Sequence, residues 1–90
     1  MNVEPKKSFL NDLKKISDLT TKAEIAQVIL AVKKARTKKD IPELRKLKGN
    51  KKGIFYRIKV GDYRIGVAIE GDLVTIARCM LRKDIYKFFP

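Results

Sequence analysis

Ninety residues with 22 Lys plus Arg, 10 Asp plus Glu, one cysteine and no histidine exclude an internal disulfide, a Cys–His nucleophile pair and a histidine-bearing zinc site. The net charge of +12 exceeds the magnitude of ~2–8 usual for a small soluble domain, and so points to a polyanion or an acidic protein as partner. No stretch approaches the ~18 apolar residues needed to span a membrane, and no signal-peptide run opens the chain. The expectation is one cytoplasmic domain over residues 1–90, with no membrane partner.

Met1 to Glu4 reads either as a short strand or as a loose end. Pro5 suits the first turn of a helix, where its missing N–H costs little. Phe9, Leu10, Leu13 and Ile16 then recur at helical spacing. A second helix is predicted from Thr21, where Thr21-x-x-Glu24 has the form of a capping box. Ile25, Val28, Ile29 and Val32 mark its buried face. It ends in a basic run, Lys33, Lys34, Arg36, Lys38 and Lys39, which suits the negative end of the helix dipole. Ser17 to Thr20 joins the two into a hairpin. A short helical turn is expected over Pro42 to Leu47, and Gly49-Asn50 and Gly53 break the chain before a sheet.

Two Gly-Asp pairs, Gly61-Asp62 and Gly71-Asp72, separate three alternating segments. Read as two-residue hairpin loops, they fix a register. Val60 faces Tyr63, Lys59 faces Arg64, Ile58 faces Ile65 and Arg57 faces Gly66. Alternation puts Tyr56, Ile58, Val60, Tyr63, Ile65 and Val67 on the face that helices cover. Phe55, Arg57, Lys59, Arg64, Gly66 and Ala68 fall on the other, with Gly66 and Ala68 forming a shallow floor. Across the next turn Val67 faces Ile76 and Ile69 faces Val74. That register assigns Ala77 and Cys79 to the basic face and leaves Arg78 on the core face. Either a bulge or a salt bridge resolves the misplaced arginine. Cys79, in an apolar strand, reads as a packed thiol. The fold class is therefore α+β, a helical hairpin on one face of a twisted antiparallel sheet, with a short helical tail.

Arg57, Lys59 and Arg64 repel one another and have no acid on their face to offset them. Such a cluster suits a phosphate backbone. The tail Arg82-Lys83-Asp84-Ile85-Tyr86 leaves the last strand beside it and adds cations and a phenol. Cleavage of RNA needs a proton removed from the 2′-hydroxyl, charge stabilised at phosphorus and a proton given to the leaving oxygen. Arginine stabilises charge but is a poor proton donor. Lysine acts as a base where neighbouring cations surround it, and Lys59 is flanked by Arg57 and Arg64. No cofactor and no metal is required.

Leu47-Lys48-Gly49, Tyr56-Arg57-Ile58-Lys59-Val60-Gly61-Asp62-Tyr63-Arg64-Ile65 and Arg82-Lys83-Asp84-Ile85-Tyr86 together resemble the RelE/ParE superfamily of toxin–antitoxin toxins, the RelE branch most closely. The order of elements matches as well. The resemblance implies a ribosome-dependent endoribonuclease that cuts mRNA in the decoding site by 2′-hydroxyl attack. It implies catalytic roles for Arg57, Lys59, Arg64, Arg82 and Tyr86, with Arg64 on the scissile phosphate and Tyr86 stacking on or orienting a base. Lys48, Lys51, Lys52 and Lys83 are the expected RNA or ribosome contacts. The partners implied are ribosome, mRNA and a cognate antitoxin whose acidic segment lies across the basic face. One departure stands out: Leu81 fills the place where many members have histidine. Two alternatives follow, a ParE-like gyrase inhibitor and a catalytically weakened RNA-binding or interaction module.

Overall fold

The computed structural model describes residues 1–90. Its elements run β1 (Asn2–Pro5), α1 (Lys7–Lys14), α2 (Leu19–Lys34), a single 3-10 turn (Lys38–Asp40), β2 (Leu44–Lys46), β3 (Phe55–Val60), β4 (Tyr63–Glu70), β5 (Leu73–Leu81) and α3 (Arg82–Phe88). The five strands lie in the order β1-β5-β4-β3-β2. All pairings are antiparallel except β1 with β5, which is parallel. The α+β class and the helix pair on one face of the sheet are as expected.

The register of β3 on β4 matches the one read from the hairpin loop, from Val60 opposite Tyr63 to Arg57 opposite Gly66. Gly61 has φ +56° and Gly71 φ +58°, while neither aspartate has a positive φ. Glycine in the first loop position is what a type II′ hairpin needs, and that turn matches the twist of the flanking strands. One buried cluster joins Phe9, Ile16, Ile25 and Val32 of the helical layer to Ile58, Ile65, Val67, Val74 and Ile76 of the sheet.

Several expectations are corrected. The capping box at Thr21 does not form. Asp18 caps α2 instead, accepting from the Thr20 amide at 3.2 Å, and the Thr21 hydroxyl donates to it at 2.7 Å. These bonds hold the Asp18 carboxyl below its ordinary range, the Thr21 hydroxyl contributing most. Pro5 ends β1 rather than opening a helix. Pro42 to Leu47 is not helical: Leu44–Lys46 pairs with Ile58, Arg57 and Tyr56 as an edge strand. Leu10 is 44% exposed, although it shares the helical spacing of buried Phe9.

The largest correction concerns β5. Gly66 faces Arg78 while Val67 faces Ile76, so Ala77 is an extra residue in a β-bulge. The extra residue reverses the alternation beyond it. Arg78 moves to the basic face, and Cys79 turns into the core, 3% exposed. Bulge and salt bridge, posed as alternatives from the sequence, both occur. Beyond Ile76 the β1 edge has ended, and α1 takes over that edge with side chains. The Ser8 hydroxyl donates to the Ala77 carbonyl at 2.6 Å. The Asp12 carboxylate accepts from the Cys79 amide at 3.0 Å and from Arg78 Nε at 2.7 Å. Arg78 Nη2 adds a second bond to Asp12 at 3.0 Å. Asp12 is 5% exposed, a buried charge whose acceptors are engaged.

Asp12→Ala removes the acceptor for an N–H that water cannot reach and strands Arg78. A loss of about 2–3 kcal/mol is expected, read as a lower urea midpoint at unchanged slope. Asp12→Asn keeps an acceptor for Cys79 and should lose roughly half as much. Equal losses in the two variants would mean the amide bond matters little.

Candidate functional site

The hairpin loop, the end of β5 and the start of α3 meet around an open groove of about 740 Å³. Lys59, Arg64, Arg82, Lys83 and Tyr86 line it. The Arg82 amide donates to the Asp62 carbonyl at 2.9 Å and ties the first turn of α3 to the hairpin loop. Lys59 and Arg64 are direct cross-strand partners, so their Cβ atoms lie about 4.5–5.5 Å apart.

Arg64 is the fixed member. It is 7% exposed, and its Nη1 donates to the Gly61 carbonyl at 3.0 Å and the Tyr63 carbonyl at 2.9 Å. A guanidinium carries five N–H donors. Those bonds orient it and leave Nε and Nη2 for an acceptor in the groove. The protein's two salt bridges are Arg78–Asp12 and Lys87–Asp84, so no carboxylate neutralises Arg64, Lys59 or Arg82. Asp62 does border the groove, one acid more than the sequence reading allowed on this face.

Arg57 lies elsewhere. It lines an adjoining groove of about 450 Å³ with Lys46, Lys48, Asn50, Tyr86 and Phe89. Tyr86, 56% exposed, belongs to both grooves and divides them. Lys51 and Lys52, in the exposed turn before β3, line neither. Leu81 pairs with Tyr63 at the end of β5 and borders the groove beside Arg82. Cys79 is no candidate nucleophile: burial, reinforced by the Asp12 charge, pushes its thiol up to about 12.

Two features escaped the sequence reading. Arg45 pairs directly with Arg57, which extends the row of cations across the sheet. The missing signal was β2 itself, three residues long and without alternation. The second is what fills the floor of Gly66 and Ala68. Phe89 lies over Gly66, where an added Cβ would stand 2.6 Å from its ring. The ring meets Phe55 edge-on, centroids 5.7 Å apart. Ile85 is buried beneath α3 at 1% exposure. Arg78 sits 5.5 Å from the Phe88 ring centroid. Thus α3, which carries Arg82, Lys83 and Tyr86, is keyed onto the sheet by the apolar residues on either side of Tyr86, Ile85 before it and Phe88 and Phe89 after it.

Gly66→Ala is expected to cost about 1–3 kcal/mol in chemical denaturation, because Phe89 must leave its seat. In a Phe89→Ala background the same substitution should cost far less. A double-mutant cycle with no coupling would mean that Phe89 is not held by this notch.

Both the sequence and the fold match known proteins. A family model described as the ParE toxin of the type II toxin–antitoxin system parDE matches residues 3–86. The chain is 35% identical over 85 residues to Toxin RelE3 of Methanocaldococcus jannaschii, covering 93% of each protein. The toxin in a RelB–RelE antitoxin–toxin complex from Methanococcus jannaschii superposes with a TM-score of 0.79 at 31% identity, over 97% of this chain and 99% of that one. An archaeal RelE–RelB complex from Pyrococcus horikoshii shares the fold, with a TM-score of 0.71 at 18% identity over 90% and 93% of the two chains. The chain belongs to the ParE toxin family of type II toxin–antitoxin systems, within the RelE/ParE superfamily.

Proposed function

We propose that this toxin is a ribosome-dependent endoribonuclease that cuts mRNA in the decoding site. The observation that carries the reading is Arg64, a buried guanidinium oriented by two carbonyls, free of any counter-ion and open to a groove. A preorganised cation of this kind loses no energy to reorientation as charge develops on a phosphate. The 2′-oxygen attacks the adjacent phosphorus and its proton leaves to a base. The bond from phosphorus to the 5′-oxygen breaks, that oxygen takes a proton, and a cyclic phosphate and a free 5′-hydroxyl result. Arg64 and Arg82 stabilise the phosphorus-centred charge. Lys59 and Tyr86 are the groups that exchange protons, and Tyr86 also stacks on or orients a base. Arg57, in the adjoining groove with Lys48, holds the next stretch of backbone, and Lys51, Lys52 and Lys83 add contacts to RNA or ribosome. The cognate antitoxin neutralises by laying an acidic segment across this face. A neighbouring protein of the same fold is a toxin bound to RelB, which supports an antitoxin partner here.

A second reading, a gyrase inhibitor, is favoured by the ParE name of the matching family model. It needs no active site, so loss of the groove would leave it intact. Primer extension on a message in a translating extract separates the two, with a supercoiling assay alongside. The expected result is discrete cleavage by the wild type and a loss of about 100-fold or more in folded Arg64→Ala. Inhibition of supercoiling without message cleavage would decide for gyrase.

Leu81 supplies no proton to the leaving oxygen, which leaves that transfer to Tyr86 and Lys59. Leu81→His should therefore raise cleavage by about 10-fold or more, with a new ionisation near pH 6–7, the range of an ordinary histidine. An unchanged rate across a pH series, at matched folded concentration, would rule out position 81 as the missing acid.

A further inference from the structure

Five of the seven residues from Lys33 to Lys39 are cations, the densest run in the chain. They are exposed, whereas Ala35 between them and Ile41 after them are buried at 7% and 4%. The segment is thereby pinned at both ends. It is also braced internally: the Asp40 carboxylate accepts from the Arg36 amide at 3.1 Å and the Thr37 amide at 3.3 Å. Asp40 is the acid nearest in sequence, and its carboxylate is spent on the backbone. None of the five cations has a salt-bridge partner.

Service to the helix end does not account for the run. The carbonyls of Lys33 and Ala35 at the end of α2 already accept from the Met1 amino nitrogen, at 3.1 and 2.6 Å. Lys38 alone has an internal role, donating to the Tyr56 hydroxyl at 3.0 Å with its charge 5.4 Å from that ring. Lys33, Lys34, Arg36 and Lys39 remain without a task. Their position is informative. Arg36 and Lys38 line a shallow cavity with Gly71 and Asp72, at the hairpin opposite the Gly61 loop. Asp72, the one carboxylate there, accepts from Asn2. Eight residues of β4 separate the two hairpins, about 26 Å at ~3.3 Å per residue. The cleaved phosphate and this segment cannot share a dinucleotide.

We propose that Lys33, Lys34, Arg36 and Lys39 form a second polyanion surface that grips ribosomal RNA phosphates away from the cleavage groove. The inference rests on the ribosome-dependent reading, and it extends that reading to how the toxin is held. A row of cations on a braced backbone, with no internal partner to give up, meets phosphates without breaking an ion pair and gains from released counterions. An acidic protein segment is the competing occupant.

The test is pelleting with purified ribosomes over a salt series, which reports binding whether or not cleavage occurs. The variant Lys33→Gln/Lys34→Gln/Arg36→Gln/Lys39→Gln is compared with Lys6→Gln/Lys7→Gln/Lys14→Gln/Lys15→Gln, which removes the same charge from around α1. The first should bind at least ~10-fold more weakly, with its log K against log salt slope reduced by about 3 to 4; the control should stay near wild type. In cleavage the same variant should raise KM and spare kcat. Should the quadruple variant fail to fold, the pairs Lys33→Gln/Lys34→Gln and Arg36→Gln/Lys39→Gln are each expected to show half the slope change. Equal loss in the control would reduce the effect to net charge and overturn the proposal. So would unchanged ribosome binding, with or without weakened binding of an acidic antitoxin. Wild-type binding without cleavage would instead overturn the activity and leave this surface standing.

Discussion

The bonds that Asp12 makes to the Cys79 amide and to Arg78 hold the rest of the structure in place. A bulged strand loses a ladder bond and bends. Here the bend falls where β1 has stopped pairing, so the edge of β5 has no neighbouring strand to satisfy it. A carboxylate from α1 satisfies that edge and takes the arginine which the bulge has turned outward. The same step returns Cys79 to the core, 3% exposed, and sends β5 on to Leu81 in the correct phase for α3 to begin beside Arg64. A sheet without the extra residue would bury Arg78 and expose a thiol.

The groove depends on that phase because its parts come from distant segments. Lys59 and Arg64 are set by one hairpin and need nothing else. Arg82 and Tyr86 need the length of β5 and the docking of α3. The docking uses Phe89 over Gly66, Phe88 against Arg78 and Ile85 beneath, three contacts unrelated to phosphate chemistry. The bulge therefore enters the site twice, through the phase of β5 and through Arg78.

What the sequence disclosed and what it concealed divide along physical lines. The β3–β4 register was legible to the residue, since a two-residue loop with glycine at its first position admits one pairing. The gathering of Arg57, Lys59 and Arg64 on one face followed from it. The bulge left one trace, an arginine at a nominally buried position, which marked a fault without giving its remedy. Strand β2 looks like a helical turn in the sequence because three residues carry no period, and its pairing comes from the neighbour rather than from Leu44–Lys46 itself. The floor at Gly66 and Ala68 looked open because its occupant lies more than twenty residues later. An apolar pair, Phe88-Phe89, in a basic tail was the available sign. The start of α2 went to Asp18 rather than Thr21, as several polar residues compete for one cap.

The parallel pairing of β1 with β5 joins Asn2 to Leu73 and Pro5 to Ile76. During synthesis the first strand to emerge is thus among the last to be placed, for its partner is made some seventy residues later. Non-local pairings of this kind are slow, because the chain must close a long loop before the contact rewards it. The segment that carries Arg82 and Tyr86 is later still. The groove draws on residues from Lys59 to Tyr86, so a nascent chain cannot assemble the site before Tyr86 has been made.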